Sequence, residues 1–204
     1  MCLALAAAPE TLDISKLLKK VEERYNSMKT FQADFLQSQS GTGRITRSES
    51  GQLYLQKPGR MRWEYSTPVG KLFVSDGKYT YYYSPGSAQV SRAKLKESDD
   101  MRAPLAFLMG RLDFQRDFKE FRSTPEGENV SIVAIPRSEK APYTQVAFVV
   151  NPDSQIVTLR ITGHDGTTLS YRLSAEKRNP ALSAKLFEFQ MPEGATLVDE
   201  DSQN

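Results

Sequence analysis

The chain has 204 residues, of which 39% are hydrophobic and 25% are charged, and its formal net charge at pH 7 is +2. This length suits one domain with a sizeable core, and because lysine and arginine are scattered among acidic residues, the charge pattern argues against a nucleic-acid-binding protein. No run approaches the roughly 18 apolar residues of a membrane-spanning helix, so we expect no stable insertion into a membrane.

The first residues are small and apolar. The stretch MCLALAAAPE contains an Ala-x-Ala pattern that is typical of the last part of a secretory signal. We therefore interpret residues 1–10 as a signal-peptide remnant or a disordered N-terminus and assign residues 11–204 to a single domain. Cys2 is the one cysteine and His164 the one histidine, which excludes a disulfide within the fold and a thiolate zinc site.

A helix and then a series of strands follow. Apolar residues recur at helical spacing between Leu12 and Tyr25, with Asp13 near the start, and predict one amphipathic helix. From Phe31 the pattern changes to two-residue alternation, and residues 30–92 predict an antiparallel meander of about six strands. Two turn sequences lie within it, Lys57-Pro58-Gly59-Arg60 and Ser75-Asp76-Gly77-Lys78.

The alternation breaks in the middle of the chain. In SDDMRAPLAFLMGRL, residues 98–112, Met101, Leu105, Leu108 and Met109 recur at helical spacing, which predicts a helix that begins or is broken at Pro104. Strands resume with FQRDFKEFRS, and the tail AKLFEFQMPEGATLVDE predicts a last extended segment. The total is about 11 strands, so we predict a mainly β (α+β) fold built on one large curved antiparallel sheet.

One parity of this sheet is rich in aromatic residues. Its members are Phe31, Phe35, Leu53, Leu55, Met61, Trp63, Tyr65, Leu72 or Phe73, Tyr81 and Tyr83. A curled sheet has a concave face that its own side chains, a helix or a ligand must fill. Met101 and Met109 suit a surface that repacks around changing ligands. The pattern fits a helical lid over an apolar cup, and it also fits an ordinary core.

Patterns that would indicate catalysis are few. The sequence contains no Gly-x-Ser-x-Gly motif, phosphate-binding loop or metal-ligand spacing. His164 stands beside Asp165-Gly166 and fits a solvated turn. We therefore expect no catalytic residues and no enzyme activity.

Four stretches resemble one known family. GQLYLQKPGRMRWEY, VSDGKYTYYYSPGSAQV, APLAFLMGR and LFEFQMPEGATLV are similar, in order and spacing, to segments of the outer-membrane lipoprotein carrier proteins, the LolA family of periplasmic lipoprotein chaperones. The resemblance extends from about Leu12 to Val198. It implies an unclosed half-barrel in which an N-terminal helix and a mid-chain helical lid cover an apolar, lipid-binding cavity.

The resemblance also implies an activity. A protein of this kind binds the acyl chains of lipoproteins that an inner-membrane lipoprotein-releasing ABC transporter sets free. It carries them through the periplasm to an outer-membrane lipoprotein receptor. The resemblance implies that it works as a monomer, without a cofactor, a metal or covalent chemistry.

Position by position, the resemblance predicts a cavity, a lid and a latch. The cavity would be lined by Phe35, Leu53, Leu55, Met61, Trp63 and Phe73, and the underside of the lid would be formed by Leu105, Leu108 and Met109. Lys57 occupies the position before the hairpin proline where the family commonly has an arginine.

The resemblance implies that the residue at this position hydrogen-bonds toward the lid and holds the empty cup shut, and we expect Lys57 to do so by reaching helix C-terminal carbonyls. A lysine latch is looser than an arginine latch because it lacks the planar fork of donors. The alternative is that Lys57 extends to solvent at the rim, as long basic side chains do.

Three other functions stay open at this point, and one of them is an outer-membrane receptor, which would need a lipidated N-terminal cysteine. The same cup would serve a carrier or sensor of another amphiphile, such as a glycolipid. An enzyme on the same scaffold is the third possibility, since a fold does not determine a function.

Overall fold

The structure is a computed structural model that describes residues 13–41, 44–95 and 112–199, without the side chains of residues 44–46. The predicted signal remnant or disordered N-terminus at residues 1–10 lies outside the described residues. So do the predicted lid residues Leu105, Leu108 and Met109.

The predicted N-terminal helix is present as α1, Ile14–Asn26. It begins there because the side chain of Asp13 accepts a hydrogen bond from the backbone N–H of Lys16, at 3.1 Å, which satisfies one of the free donors of the first turn. One face of α1 is buried through Leu18, Val21 and Tyr25. None of the helices in the described part of the chain is long and apolar enough to cross a membrane.

Twelve strands form a single sheet. Their bounds are β1 Thr30–Gly41, β2 Arg44–Gln56, β3 Arg60–Thr67, β4 Leu72–Asp76, β5 Tyr79–Tyr83, β6 Gln89–Lys94, β7 Phe118–Glu126, β8 Asn129–Pro136, β9 Gln145–Val150, β10 Ile156–Thr162, β11 Thr168–Arg178 and β12 Thr196–Asp199. The spatial order is β12-β6-β5-β4-β3-β2-β1-β11-β10-β9-β8-β7. Strand β12 runs parallel to β6, and the other neighbours are antiparallel.

This topology confirms the predicted mainly β, unclosed sheet. Strands β7 and β12 form its two edges. The predicted six-strand meander is β1 to β6, and the Asp76-Gly77 turn joins β4 to β5, with Gly77 at a φ of 99°.

Two segments differ from the predicted strands. The residues Phe114–Asp117 form a short helix, α2, because the side chain of Asp113 caps it by accepting from the N–H of Arg116. Ala184–Phe187 in the tail form a 3-10 turn, which Ser183 caps in the same way. In both cases a local side-chain cap outweighs the strand pattern.

One face of the sheet, here called the inner face, is buried together with α1. The cluster includes the predicted Phe31, Phe35, Leu53, Leu55, Met61, Trp63, Tyr65 and Phe73. The prediction for Tyr81 and Tyr83 was wrong. The tight hairpin places Phe73 opposite Tyr82, so Tyr81 lies on the outer face, where its ring stacks on Phe189 with the centroids 4.7 Å apart.

Gly51 lets β2 and β3 approach closely where β2 has a register shift, between Ser50 and Gly51. A Cβ atom on Gly51 would overlap the carbonyl oxygen of Glu64 and lie 2.8 Å from the Cα atom of Tyr65. Only glycine fits at this position, since the neighbouring atoms belong to the backbone and cannot rotate away.

We predict that Gly51→Ala lowers the free energy of unfolding by about 1–3 kcal/mol, the usual cost of overpacking. The matched control is Gly86→Ala, because a Cβ atom added to Gly86 would meet no atom within 4 Å; its change should stay below about 0.5 kcal/mol. Urea titrations of the two variants measure both values. Equal stability of the two variants would contradict this role of Gly51.

Candidate functional site

The six residues predicted to line the cavity lie together on the inner face. Their exposed fractions range from 0% for Leu53, Met61 and Trp63 to 4% for Leu55. The register explains the grouping: Leu55 stands opposite Met61, and Leu53 opposite Trp63. Trp63 in turn stands opposite Phe73. Strands β1 to β4 thus present one continuous apolar patch.

Aromatic rings form the centre of this patch. The ring of Phe35 lies edge-on to Trp63, with centroids 4.7 Å apart, and to Tyr65, at 5.0 Å. Tyr171 on β11 packs against Trp63 at 5.2 Å. These distances are typical of favourable edge-to-face and tilted ring pairs, so Trp63 packs against rings from two other strands.

Lys57 links the hairpin turn to the end of α1. Its Nζ atom donates a hydrogen bond to the carbonyl oxygen of Tyr25, at 2.8 Å, and its backbone N–H donates to the carbonyl oxygen of Lys29, at 2.9 Å. Tyr25 lies in the last turn of α1, where carbonyl groups carry partial negative charge and have no partner within the helix. Burial lowers the pKa of Lys57. Lys57 thus contacts a C-terminal carbonyl of α1, whereas the predicted lid toward which the latch was expected to reach lies outside the described residues.

Two further contacts fasten the same end of α1 to the sheet, and the sequence patterns did not indicate them. The hydroxyl oxygen of Tyr25 accepts a hydrogen bond from the backbone N–H of Ile156, at 2.9 Å, and Arg24 forms an ion pair with Glu176. Burial, with the nearby charge of Glu176, raises the pKa of Tyr25. The partners are far away in the chain, so no local pattern points to them.

Polar side chains of α1 also hold the chain that leads into α2. The side-chain amide of Asn26 donates to the carbonyl oxygen of Leu112, at 2.8 Å, and its oxygen accepts from the N–H of Leu112, at 2.7 Å. Glu22 accepts from the N–H of Phe114, at 2.7 Å. Leu112 is the first described residue after the segment with the predicted lid residues. Helix α1 thus holds Leu112 and Phe114, the residues that directly follow that segment.

The inner face becomes polar farther along β1 and β2. Gln37 stands opposite Glu49, and both are buried. The hydroxyl of Tyr65 donates to the side-chain oxygen of Gln37, at 2.9 Å. Lys71 forms a buried ion pair with Glu49, and its Nζ atom lies 4.3 Å from the centre of the Tyr65 ring. Nothing in the alternation pattern indicated this buried polar group.

A separate groove of about 530 Å³ lies beside the register shift of β2. Its lining comprises five residues with polar side chains, Asp34, Ser50, Gln52, Glu64 and Ser66, together with Phe35, Gly51 and Tyr65.

Comparison with known proteins places the chain in a family. Residues 26–190 match the family described as outer membrane lipoprotein carrier protein LolA. An outer-membrane lipoprotein carrier protein of Bordetella avium is 32% identical over 167 residues, which cover 81% of this chain and 78% of the relative. The protein of the same name from Chromobacterium violaceum is 29% identical over 173 residues, which cover 85% and 82%.

A solved structure shares the fold. An uncharacterised conserved protein from Thermus thermophilus has a TM-score of 0.54 and 15% sequence identity, over 93% of this chain and 100% of that protein. At this identity the likeness concerns the fold alone. The matched sequence, by contrast, spans most of the chain, and the protein belongs to the family of the outer membrane lipoprotein carrier protein LolA.

Proposed function

We propose that this protein is a periplasmic carrier that binds the acyl chains of lipoproteins released from the inner membrane and delivers them to the outer membrane. The main support from the structure is the continuous apolar patch of β1 to β4, which lies in one buried cluster with α1. The names of the relatives, outer-membrane lipoprotein carrier proteins, support the proposal that the cargo is a lipoprotein. The donor is an inner-membrane lipoprotein-releasing ABC transporter, the acceptor is an outer-membrane lipoprotein receptor, and the carrier acts as a monomer.

The free energy of transferring acyl chains from water to an apolar site explains why such a carrier is needed. Transfer of a chain from water to an apolar site is favourable by about 0.8 kcal/mol per CH₂ group, so a lipoprotein with several chains does not cross water unaided. The same energy would make a permanently open cup hold its cargo too tightly. Release requires something that competes for the inner face.

Helix α1 is suited to be that competitor. Leu18, Val21 and Tyr25 bury against the same cluster that the acyl chains would occupy, so departure of the cargo restores these contacts. The predicted lid residues Leu105, Leu108 and Met109 would add to the cover from the segment that ends at Leu112. Lys57 would act as the latch that favours the closed arrangement, through its bond to the end of α1.

The inner face can be tested with two adjacent residues of β1. Phe35 is 3% exposed on the inner face, whereas Leu36 is 46% exposed on the outer face. We predict that Phe35→Glu lowers the yield of soluble complex about tenfold or more, because a carboxylate in the apolar patch must be desolvated. Leu36→Glu should leave the yield unchanged.

The measurement uses spheroplasts that retain a triacylated lipoprotein at the inner membrane. Purified carrier is added, and the one-to-one complex in the soluble fraction is counted by native mass spectrometry. Circular dichroism verifies that both variants fold, and Phe35→Gln replaces Phe35→Glu if the latter does not. Equal release by the Phe35 and Leu36 variants would contradict the proposed site.

The latch gives a second prediction. Lys57→Leu removes the hydrogen bond to the carbonyl oxygen of Tyr25. A bond from a charged group contributes about 1.5–3 kcal/mol when buried, and for this half-buried lysine we expect roughly a tenfold shift toward the open state. Amide exchange at the end of α1 should quicken by that factor, and delivery to acceptor membranes should slow, because release no longer restores the bond.

The control is Lys19→Leu, which removes the same charge from the exposed side of α1. Hydrogen exchange followed by mass spectrometry measures opening, and a fluorescent lipopeptide reports delivery. Lys57→Arg should slow the exchange, since the guanidinium group offers more donors. If Lys57→Leu showed the same exchange and delivery rates as the control Lys19→Leu, the latch would be ruled out.

A further inference from the structure

The indole N–H of Trp63 is a buried donor. Trp63 is 0% exposed, and no residue in the described part of the chain accepts a hydrogen bond from its Nε1 atom. Buried donors without an acceptor are rare in folded proteins, because the group has lost its bonds to water and gained none in return. Phenylalanine or leucine would fill an apolar position without this cost.

Two other buried aromatic side chains with a polar group have hydrogen-bond partners. The hydroxyl groups of Tyr25 and Tyr65 belong to buried residues, and each has a partner, Ile156 and Gln37 respectively. An unpaired donor at a binding site is a reason to look for an acceptor on the ligand.

Trp63 also lies where the polarity of the inner face changes. On the side of the hairpin turn, the next row consists of Leu55 and Met61, which offer only apolar surface. On the other side lie Tyr65 and then the buried ion pair of Glu49 and Lys71. An acylated anchor has the same order of groups: hydrocarbon, then ester or amide carbonyl, then a polar backbone.

We propose that the indole N–H of Trp63 donates a hydrogen bond to an acyl carbonyl oxygen of the cargo, so that the site distinguishes acyl esters and amides from ethers. The inference rests on the proposed carrier function and deepens it. The hydrocarbon ends then extend toward Leu55 and Met61, and the head of the anchor faces Glu49 and Lys71. A neutral carbonyl is the suitable acceptor, since a charged one would pay a large desolvation cost beside these rings.

The test compares two lipids that differ only at the linkage. A glycerol with two hexadecanoyl ester chains and its di-hexadecyl ether analogue compete for the carrier against a fluorescent fatty-acyl probe. The wild-type protein should bind the ester about tenfold more tightly, the range of one neutral hydrogen bond. Trp63→Phe should bind both lipids equally, with the ester reduced to the level of the ether. The control Leu36→Ala, on the outer face, keeps the donor and should keep the preference.

The emission of Trp63 gives a second readout that needs no variant, because it is the one tryptophan of the chain. A hydrogen bond to the indole N–H changes its emission maximum, so the ester should shift the spectrum to longer wavelength relative to the ether. Equal affinities and equal spectra for the two lipids would overturn the role of Trp63 and leave the carrier function intact. Failure of the wild-type protein to bind either lipid would overturn the proposed function itself.

Discussion

The structure depends on covering the inner face of an unclosed sheet. Twelve strands in one layer present a row of large apolar side chains, and exposure of such a face to water is costly. Helix α1 contributes Leu18, Val21 and Tyr25 to the cover. The polar contacts at its C-terminal end then fix its position: Lys57 to the carbonyl of Tyr25, Arg24 to Glu176 and Asn26 to Leu112.

This arrangement separates two kinds of interaction. The apolar contacts between α1 and the sheet are non-directional and can be exchanged for contacts with an acyl chain of similar area. The polar contacts are directional, and they concentrate at one end of the helix. A carrier that must accept and release a lipid needs a cover with both properties, since the exchange keeps the net energy small and the anchored end restores the same closed form.

Much of the fold could be predicted because its patterns are local. Period-two alternation predicted β1 to β6 and the inner-face residues from Phe31 to Phe73, and the helical spacing predicted α1. The face of Tyr81 was mistaken because the register of β5 is set by the tight turn at Gly77 rather than by its own four tyrosines. The pairing of β12 with β6 was not predictable, because partners such as Thr196 and Gln89 are far apart in the chain.

In the candidate site, too, the features that depend on local patterns could be predicted and those that depend on distant partners could not. Lys57 and the apolar lining follow from short motifs and from the family resemblance. Glu22, Asn26 and Glu176 do not, since each is an ordinary polar residue whose partner is distant in sequence. The buried pair of Glu49 and Lys71 is hidden for a further reason: charged residues are usually exposed, so nothing in composition points to burial.

The most direct test of the carrier function is to locate the acyl chains on the protein. A triacylated lipopeptide with a photoreactive group near the end of one chain is bound and irradiated, and the modified residues are identified by mass spectrometry. We predict modification on the inner face of β2 to β4, at residues such as Leu53, Met61 and Phe73. Modification confined to the separate groove around Asp34 and Gln52 would contradict the proposed site.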